Sequence, residues 1–180
     1  MEISFEEVWG QSDLWRVFVM ILVSLGTHER QFYRLLKEIE ILISEGKIKD
    51  VIIQTGYTSY KVKGAKCFDF IEFGKMQKYI RNCNCLITHG GVGSITDALN
   101  YGKTTIVVPR RKELNEHTDN HQLQITKEME KIGKIIPVYN IKNLENAIAK
   151  ARKLKVKKRI QKIPKTFKII DKKLKEWETI

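Results

Sequence analysis

The sequence predicts an α/β protein built on an open, doubly wound and mainly parallel sheet. Three observations predict this fold class. Short runs of β-branched residues alternate with amphipathic stretches along most of the chain, and glycines follow two of the predicted strands. The length of 180 residues suits one domain with a sizeable core, and it is too short for two full-sized domains. Strands that alternate with helices pair in parallel through right-handed crossovers, with helices on both faces of the sheet.

The first predicted strand covers residues 20–25 and is followed by a glycine turn. The next stretch, residues 30–44, has apolar side chains at helical spacing. The remaining predicted elements are strand 50–54, strand 67–73, helix 75–82, strand 85–88, helix 94–101, strand 104–108, helix 120–131, strand 135–138 and helix 144–153. Gly102 is placed to end the helix before it, because glycine adopts the left-handed conformation without a Cβ penalty.

Composition excludes several classes of protein. Apolar residues make up 42% of the chain and charged residues 30%, which argues against disorder of the whole chain. No apolar run reaches the roughly 18 to 20 residues of a membrane span, and the acidic start does not fit a secretory signal. Of three cysteines, Cys83 and Cys85 are too close together for an ordinary disulfide or zinc motif. We therefore expect a cytoplasmic protein with reduced, mostly buried thiols and no structural metal.

The formal net charge of +12 is concentrated at the end of the chain. Residues 150–180 contain 13 basic and 3 acidic side chains, so the rest of the chain is nearly neutral. Phe167, Ile170, Leu174 and Trp177 recur at helical spacing among the lysines. This pattern predicts a basic amphipathic helix that packs on its own domain or docks on a membrane-bound partner or anionic lipid. Nucleic acid is a weaker alternative, because no aromatic-rich sheet motif or finger accompanies the lysines.

A glycine turn follows the strand at residues 85–88. Gly90, Gly91 and Gly93 let main-chain amides approach a ligand closely, and the following helix N-terminus adds partial positive charge. This arrangement predicts an anion site of diphosphate size. Ser94 is placed either to cap the helix or to bond a phosphate oxygen. Asp97, one turn further on, is placed to accept from a ribose diol or simply to suit the helix dipole.

Two nucleotide-binding motifs fit this turn poorly. The Gly-x-x-x-x-Gly-Lys-Ser/Thr pattern of P-loop proteins is absent from the sequence. A dinucleotide fold is conceivable because Gly91 and Gly93 follow a strand, but Thr96 stands where Gly or Ala is expected, and the motif lies mid-chain. An NAD-dependent oxidoreductase therefore remains a rival interpretation.

Two further segments are predicted at the same edge of the sheet. Residues 24–29 form a second glycine turn after the first strand, and two turns facing one crevice suit a nucleotide diphosphate better than one. Residues 110–122, after the fifth strand, are rich in amide, carboxylate and imidazole groups that suit a hydroxyl-rich ligand such as a sugar. His117 and His121 lie four apart, but Thr118 replaces the Glu of a zincin motif, so a metalloprotease is disfavoured.

Five segments of the chain resemble the small glycosyltransferase family 28 C-terminal-domain proteins. That family includes exopolysaccharide-synthesis subunits of the PssE and EpsF type and the catalytic subunit of the eukaryotic two-part N-acetylglucosaminyltransferase. The resemblance runs in order over about residues 20–153, and five collinear motifs are far more specific than one glycine loop. The segments are Gly26-Thr27-His28-Glu29, Gln54-Thr55-Gly56-Tyr57, Ile87-Thr88-His89-Gly90-Gly91-Val92-Gly93-Ser94, Val107-Val108-Pro109-Arg110 and Asp119-Asn120-His121-Gln122.

The resemblance implies a fold and a set of site residues. The fold would be a single Rossmann-like unit, the donor-binding half of a GT-B glycosyltransferase such as MurG. Asp97 would lie on the ribose, where relatives often have Glu. The UDP diphosphate would be held by Gly90, Gly91, Gly93 and Ser94 with His89 nearby, and the crevice lined by Gly26 and Thr27. Asn120, His121 and Gln122 would face the donor hexose. Arg110, Glu116 and His117 are further substrate-binding candidates, and His28 and His121 are the catalytic candidates.

The resemblance also implies a reaction and a partner. Transfer of a hexose from a UDP-sugar would proceed by a single displacement without a metal or other cofactor, since helix dipole and amides offset the charge on UDP. The acceptor would be lipid-linked or a polysaccharide, bound by a separate membrane-anchored subunit, so we expect a heterodimer at the inner face of the cell membrane. The alternative is a non-catalytic subunit that stabilises or stimulates a transferase.

These observations divide the chain into three parts. Residues 1–19 are an N-terminal extension, residues 20–153 the UDP-sugar-binding domain, and residues 154–180 the basic amphipathic tail. Relatives in the family commonly begin directly at the first strand. We therefore expect either that Met20 is the native initiator or that the preceding segment is a partly ordered addition.

Overall fold

Six parallel strands form one sheet in the computed structural model, which describes residues 20–154. The strand order is β3-β2-β1-β4-β5-β6, and every neighbouring pair is parallel. Short 3-10 turns lie at Lys112–Leu114 and Ile141–Asn143. The elements in chain order are β1 (Ile21–Ser24), α1 (Tyr33–Ser44), β2 (Val51–Gln54), β3 (Lys66–Phe68), α2 (Phe73–Asn82), β4 (Cys85–Thr88), α3 (Val92–Asn100), β5 (Thr104–Val107), α4 (His121–Lys131), β6 (Ile136–Pro137) and α5 (Leu144–Lys153).

Helices cover both faces of the sheet, because the central strands are apolar on both sides. Ile21 and Val23 of β1 pack into a core with α1 and α5, whereas Leu22 between them packs on the other side with α2 and α3. A third cluster joins α3 and α4 around Val107 of β5. Strands buried on both faces read as continuous apolar runs, as residues 21–23 do. The predicted doubly wound parallel fold is confirmed.

Two boundaries differ from the prediction for reasons visible in the hydrogen bonding. The strand predicted over residues 67–73 ends at Phe68, because β3 pairs only with β2 and the last matched pair is Gln54 with Phe68. The helix predicted from residue 30 begins at Tyr33, because Phe32 has non-helical backbone angles (φ −131°, ψ 51°), and its N–H donates to the Thr58 hydroxyl at 3.1 Å. Gly102 has a positive φ of 64°, as predicted for the residue that follows α3.

Two predicted parts of the chain lie outside the described residues. These are the N-terminal extension (residues 1–19) and, apart from Leu154, the basic tail of residues 154–180. The predictions of a docking helix around Trp177 and of Met20 as initiator therefore stay predictions.

Candidate functional site

The strand order changes direction between β1 and β4, which are hydrogen-bonded neighbours at the centre of the sheet. In open α/β sheets, ligands bind outside the carboxyl ends of the strands at such a point. The chain leaving β1 enters the turn at Gly26, and the chain leaving β4 enters residues 89–93. The Thr88 hydroxyl joins the two strand ends by donating to the Ser24 carbonyl at 3.0 Å. The structure thus brings both predicted glycine turns to one crevice.

The imidazole of His89 lies between these two turns. A Cβ built on Gly26 would come within 2.4 Å of the ring atom Cε1, and a Cβ on Gly91 within 2.2 Å of Nε2. Neither position therefore tolerates a side chain while the ring is in place. Burial, and after it the charge of Arg110, lowers the pKa of His89 to about 4, so the ring is neutral at pH 7. His89 is thus a neutral packing group beside the crevice.

The turn at Gly26 is held by the buried side chain of Gln54, at the end of β2. Its Oε1 accepts from the Ser24 hydroxyl at 2.9 Å and from the Gly26 N–H at 3.1 Å. Its Nε2 donates to the carbonyls of Gly26 at 2.9 Å and Asp69 at 3.1 Å. Since both main-chain polar groups of Gly26 already have a partner, Gly26 shapes the crevice and does not present its amide there.

Gln122 at the start of α4 has the same kind of role on the other side of the crevice. Its Oε1 accepts from the N–H groups of Gly90 and Arg110, each at 3.1 Å. Gly90 packs so closely that a Cβ there would lie 2.7 Å from the Cβ of Gln122. The Gly90 amide, predicted to hold phosphate, therefore already has a protein partner. The Gln122 oxygen, predicted to face a hexose, holds two loops together.

The N-terminus of α3 is open at the crevice. The helix begins at Val92, its N-cap residue is Gly91, and no side chain caps it. The N–H groups in the first turn of a helix have no carbonyl partner within that helix. In α3 these groups belong to Val92, Gly93 and Ser94. Gly93 is exposed, with no heavy atom within 4 Å of the position of a Cβ. The alternative that Ser94 only caps the helix is not realised.

Asp97 lies one turn into α3 and is half-buried. Its Oδ2 accepts from Nε2 of Gln77 on α2 at 2.8 Å. This bond fixes the carboxylate at the crevice side of the α2–α3 contact and uses one of its two oxygens. Gln77 was not a sequence candidate.

Two charged candidates from the loop after β5 point into the protein. The guanidinium of Arg110 is 1% exposed and donates to the carbonyls of Leu25, Arg30 and Glu116 at 2.7 to 3.1 Å. The buried carboxylate of Glu116 accepts two bonds from Arg34, at 2.9 and 2.8 Å. Loop carbonyls and Arg34 already bind these groups in the structure, and the expectation that Arg110 and Glu116 contact substrate stays a prediction.

Three of the histidine candidates, His28, His117 and His121, form a cluster with Asp119. The rings of His28 and His117 stack with centroids 4.3 Å apart. Asp119 lies between two imidazoles, with Oδ1 3.1 Å from Nδ1 of His117 and Oδ2 3.4 Å from Nδ1 of His121. Burial, followed by the neighbouring charges of His117 and Arg110, lowers the pKa of His28. The stacked imidazoles therefore join the glycine turn of residues 24–29 to the polar loop of residues 110–122.

The remaining two candidates, Asn120 and Thr27, differ in whether the side chain already accepts a hydrogen bond from the protein. Asn120 precedes α4, and its side-chain oxygen accepts from the Lys112 N–H at 3.1 Å, which closes the loop before the helix. Thr27 is exposed beside His28. Thr27 is thus the more accessible of the two hydrogen-bonding side chains.

A cleft of about 630 Å³ lies next to the imidazole pair. It is bounded by the residues that lead into α1 and by the loop after β5. Its lining is Glu29, Arg30, Gln31, Tyr33, Arg34, Leu114, Asn115 and Glu116. Glu29 directly follows His28 in the chain and Glu116 directly precedes His117, so the cleft is lined by the two loops that carry the imidazoles.

Sequence reasoning missed Arg34 and underrated Gln54. Gln54 carries a usable signal, because a polar residue at the end of a buried strand must satisfy its amide at the ligand edge of the sheet. Arg34 carries none: it stands in an amphipathic helix as an ordinary basic residue, and only the fold places Glu116 beside it.

Three other features of residues 20–154 bear on function. In this part of the chain no group of three His, Cys, Asp or Glu side chains is placed to hold a metal ion. No helix among these residues is long and apolar enough to cross a bilayer. The cysteines are free thiols; Cys83 and Cys85 are buried and Cys67 is half-buried, as predicted.

Comparison with known proteins gives one family match. The model of the glycosyltransferase family 28 C-terminal domain matches residues 20–176. The UDP-N-acetylglucosamine transferase subunit ALG13 of Candida albicans is 33% identical over 116 residues. The UDP-N-acetylglucosamine–N-acetylmuramyl-(pentapeptide) pyrophosphoryl-undecaprenol N-acetylglucosamine transferase of Thermosipho melanesiensis is 30% identical over 119 residues. These matches cover 64% and 63% of this chain, but only 38% and 34% of the relatives.

The crystal structure of the glycotransferase of kitacinnamycin shares the fold. It superimposes with a TM-score of 0.58 at 15% identity, covering 81% of this chain and 37% of that protein. The described domain thus corresponds in fold to part of a larger transferase.

Proposed function

Because this chain belongs to the glycosyltransferase family 28 C-terminal domain family, we propose that it is the donor-binding subunit of a UDP-sugar-dependent glycosyltransferase. The observation that carries the proposal is the uncapped N-terminus of α3 at the crevice between β1 and β4. It is supported by the two relatives, which by name are N-acetylglucosamine transferases or subunits of one. UDP-N-acetylglucosamine is accordingly the first donor to test.

The diphosphate binds at the first turn of α3. The N–H groups of Val92, Gly93 and Ser94 point out of the helix, and the helix dipole favours an anion there. The Ser94 hydroxyl, which does not cap the helix, adds a further donor. Thr27 approaches from the turn after β1. Asp97, fixed by Gln77, accepts from the ribose through its second oxygen.

The hexose lies toward the loop that carries His117, Asp119 and His121. Its reaction is a single displacement at the anomeric carbon by an acceptor hydroxyl, with UDP leaving. The dipole and amides of α3 offset the charge that develops on UDP, so the step does not need a metal or cofactor. His28 is the general-base candidate in this chain. Its lowered pKa keeps the imidazole unprotonated at neutral pH and able to take the proton of the acceptor hydroxyl.

The acceptor approaches through the cleft on the other side of His28. We take the acceptor to be a lipid-linked or polysaccharide sugar. A second subunit, anchored in the membrane, presents it, and the chain works at the inner face of that membrane. The proposal of a partner is supported by one relative, which by name is a subunit of a UDP-N-acetylglucosamine transferase.

The donor proposal is tested by titration calorimetry with UDP, UMP and uridine. We expect UDP to bind more tightly than UMP, and UMP more tightly than uridine, because the site recognises a diphosphate. Val92→Pro removes one N–H at the first helical position, where proline is favoured, and the extended conformation of Gly91 suits the residue before a proline. This variant should weaken UDP binding about tenfold and leave uridine binding unchanged. Equal affinity of both proteins for UDP would exclude the α3 amide site.

A thermal-shift screen with UDP-sugars and NAD separates the rival functions. We expect UDP-sugars to stabilise the protein, since a ligand that binds only the folded state raises its stability. Stabilisation by NAD and not by UDP would favour an oxidoreductase. Transfer assays with the partner subunit then compare wild type with His28→Gln and His121→Ala. Full activity of both variants would indicate that this chain binds donor without contributing a catalytic group.

A further inference from the structure

The guanidinium of Arg110 is buried, and no carboxylate of residues 20–154 forms an ion pair with it. Its side chain is 1% exposed, and Glu116, the acid nearest in the loop, gives its carboxylate to Arg34. A buried cation requires hydrogen-bond acceptors in place of water. Arg110 finds them in main-chain carbonyls: Arg30 at 2.7 Å, Leu25 at 3.0 Å and Glu116 at 3.1 Å.

These three carbonyls belong to the two loops that carry the imidazole pair. Leu25 and Arg30 flank His28 in the loop after β1, and Glu116 directly precedes His117 in the loop after β5. The planar fork of the guanidinium therefore joins the two loops at fixed spacing. Cζ of Arg110 lies over the ring of Phe32, 4.6 Å from the ring centroid. A lysine ammonium is a single point and cannot reproduce this fork.

We infer that Arg110 is the positioning residue of this site. It holds the loops after β1 and β5 together so that His28 of one loop stacks on His117 of the other. This positioning role goes beyond the proposed function. It rests on the proposed function only in the experiment that measures UDP binding.

The charges around His28 agree with this arrangement. Burial, then His117, Arg110 and Arg30, oppose protonation of His28, and Glu29 favours it, with a lowered pKa as the net result. Across the pair, Asp119 contacts His117. A proton on His28 would place a positive charge near Arg110, so the fixed guanidinium opposes protonation of the His28 ring in the stacked pair.

The test compares Arg110→Met, Arg110→Lys and a matched control, Arg111→Met. Methionine keeps much of the volume but has neither charge nor donors, and lysine keeps the charge without the fork. Arg111 is the next residue, and its guanidinium bonds the Tyr139 carbonyl, away from the imidazoles. Two measurements are made on each folded protein: NMR titration of the histidine rings and amide hydrogen exchange of residues 25–30 and 112–117.

We expect Arg110→Met to raise the titration midpoint of His28 toward 6.5 and to accelerate exchange in both loops about tenfold or more. Arg110→Lys should accelerate exchange in both loops but leave the midpoint of His28 near that of wild type. Arg111→Met should change neither. If Arg110→Met does not fold, loop exchange in Arg110→Lys decides the question. Wild-type exchange in the loops of a folded Arg110 variant would overturn the inference.

A UDP titration of the same variants connects the inference to the proposed function. Arg110→Lys should bind UDP more weakly than wild type, because Thr27 and the turn at Gly26 depend on the same loop. If wild type does not bind UDP, the proposed function fails, while the ring titrations and loop exchange still test Arg110 independently.

Discussion

Replacement of Gly91 by alanine tests the packing of His89 between the two turns. Gly91 has φ −76° and ψ 128°, which alanine adopts without strain, so the change adds only a methyl group. That methyl would lie 2.2 Å from Nε2, 2.9 Å from Cδ2 and 3.0 Å from Cε1 of the His89 ring. The ring cannot move away, because the main chain of Gly26 closes its other side. We expect Gly91→Ala to destabilise the protein by about 1 to 3 kcal/mol, the usual cost of overpacking a buried site.

A double-mutant cycle with His89→Ala isolates this contact. His89→Ala alone should cost about 2 kcal/mol, through the lost packing of a buried ring. In the double variant the methyl group added by Gly91→Ala enters vacated space, so its cost should fall to near zero, giving a coupling of about 1 to 3 kcal/mol. Urea denaturation of the four proteins gives the four free energies of unfolding.

Gly93→Ala is the matched control, two residues further on in the first turn of α3. No atom lies within 4 Å of its Cβ position, so alanine should stabilise the protein by up to about 1 kcal/mol through helix propensity. Additive effects of Gly91→Ala and His89→Ala, or an effect of Gly91→Ala equal to that of Gly93→Ala, would refute the packing of His89 between the turns.

Three further predictions follow from buried groups. His89 titrates near 4 in the folded protein and near 6.5 when unfolded, so the unfolded state binds the proton first. Stability should therefore fall by about 3 kcal/mol as the pH drops from 6.5 to 4, and urea melts of His89→Gln should show a weaker pH dependence. Burial raises the pKa of the Cys83 and Cys85 thiols to about 12, so iodoacetamide should label Cys67 first, as peptide mass spectrometry would show; equal labelling would contradict the burial. Gln54→Leu removes four hydrogen bonds and leaves the main chain of Gly26 unpaired, so urea denaturation should show a loss of about 2 to 4 kcal/mol; a loss below about 1 kcal/mol would contradict that role.

The sheet and its ligand edge follow from local signals. Apolar runs such as residues 21–23 predict strands buried on both faces, and their alternation with helical periodicity predicts parallel pairing. The parallel sheet is confirmed, because periodicity and connection handedness are properties of neighbouring residues. The glycines at 90 and 91 lie in a turn whose main chain other residues approach closely, while the anion site predicted there stays a prediction.

Only the tertiary structure decides which polar side chains bind other parts of the protein and which remain available to a ligand. From the sequence, Arg110, Glu116 and Gln122 are charged or amide groups in a polar loop, and each is as plausible on a substrate as on a protein group. The fold places Leu25 and Arg30 beside Arg110, and Arg34 beside Glu116, across about 80 positions of the chain. It places Gly90 beside Gln122. Whether a polar side chain faces a ligand or a neighbouring loop depends on which distant acceptors surround it, and local sequence does not contain that information.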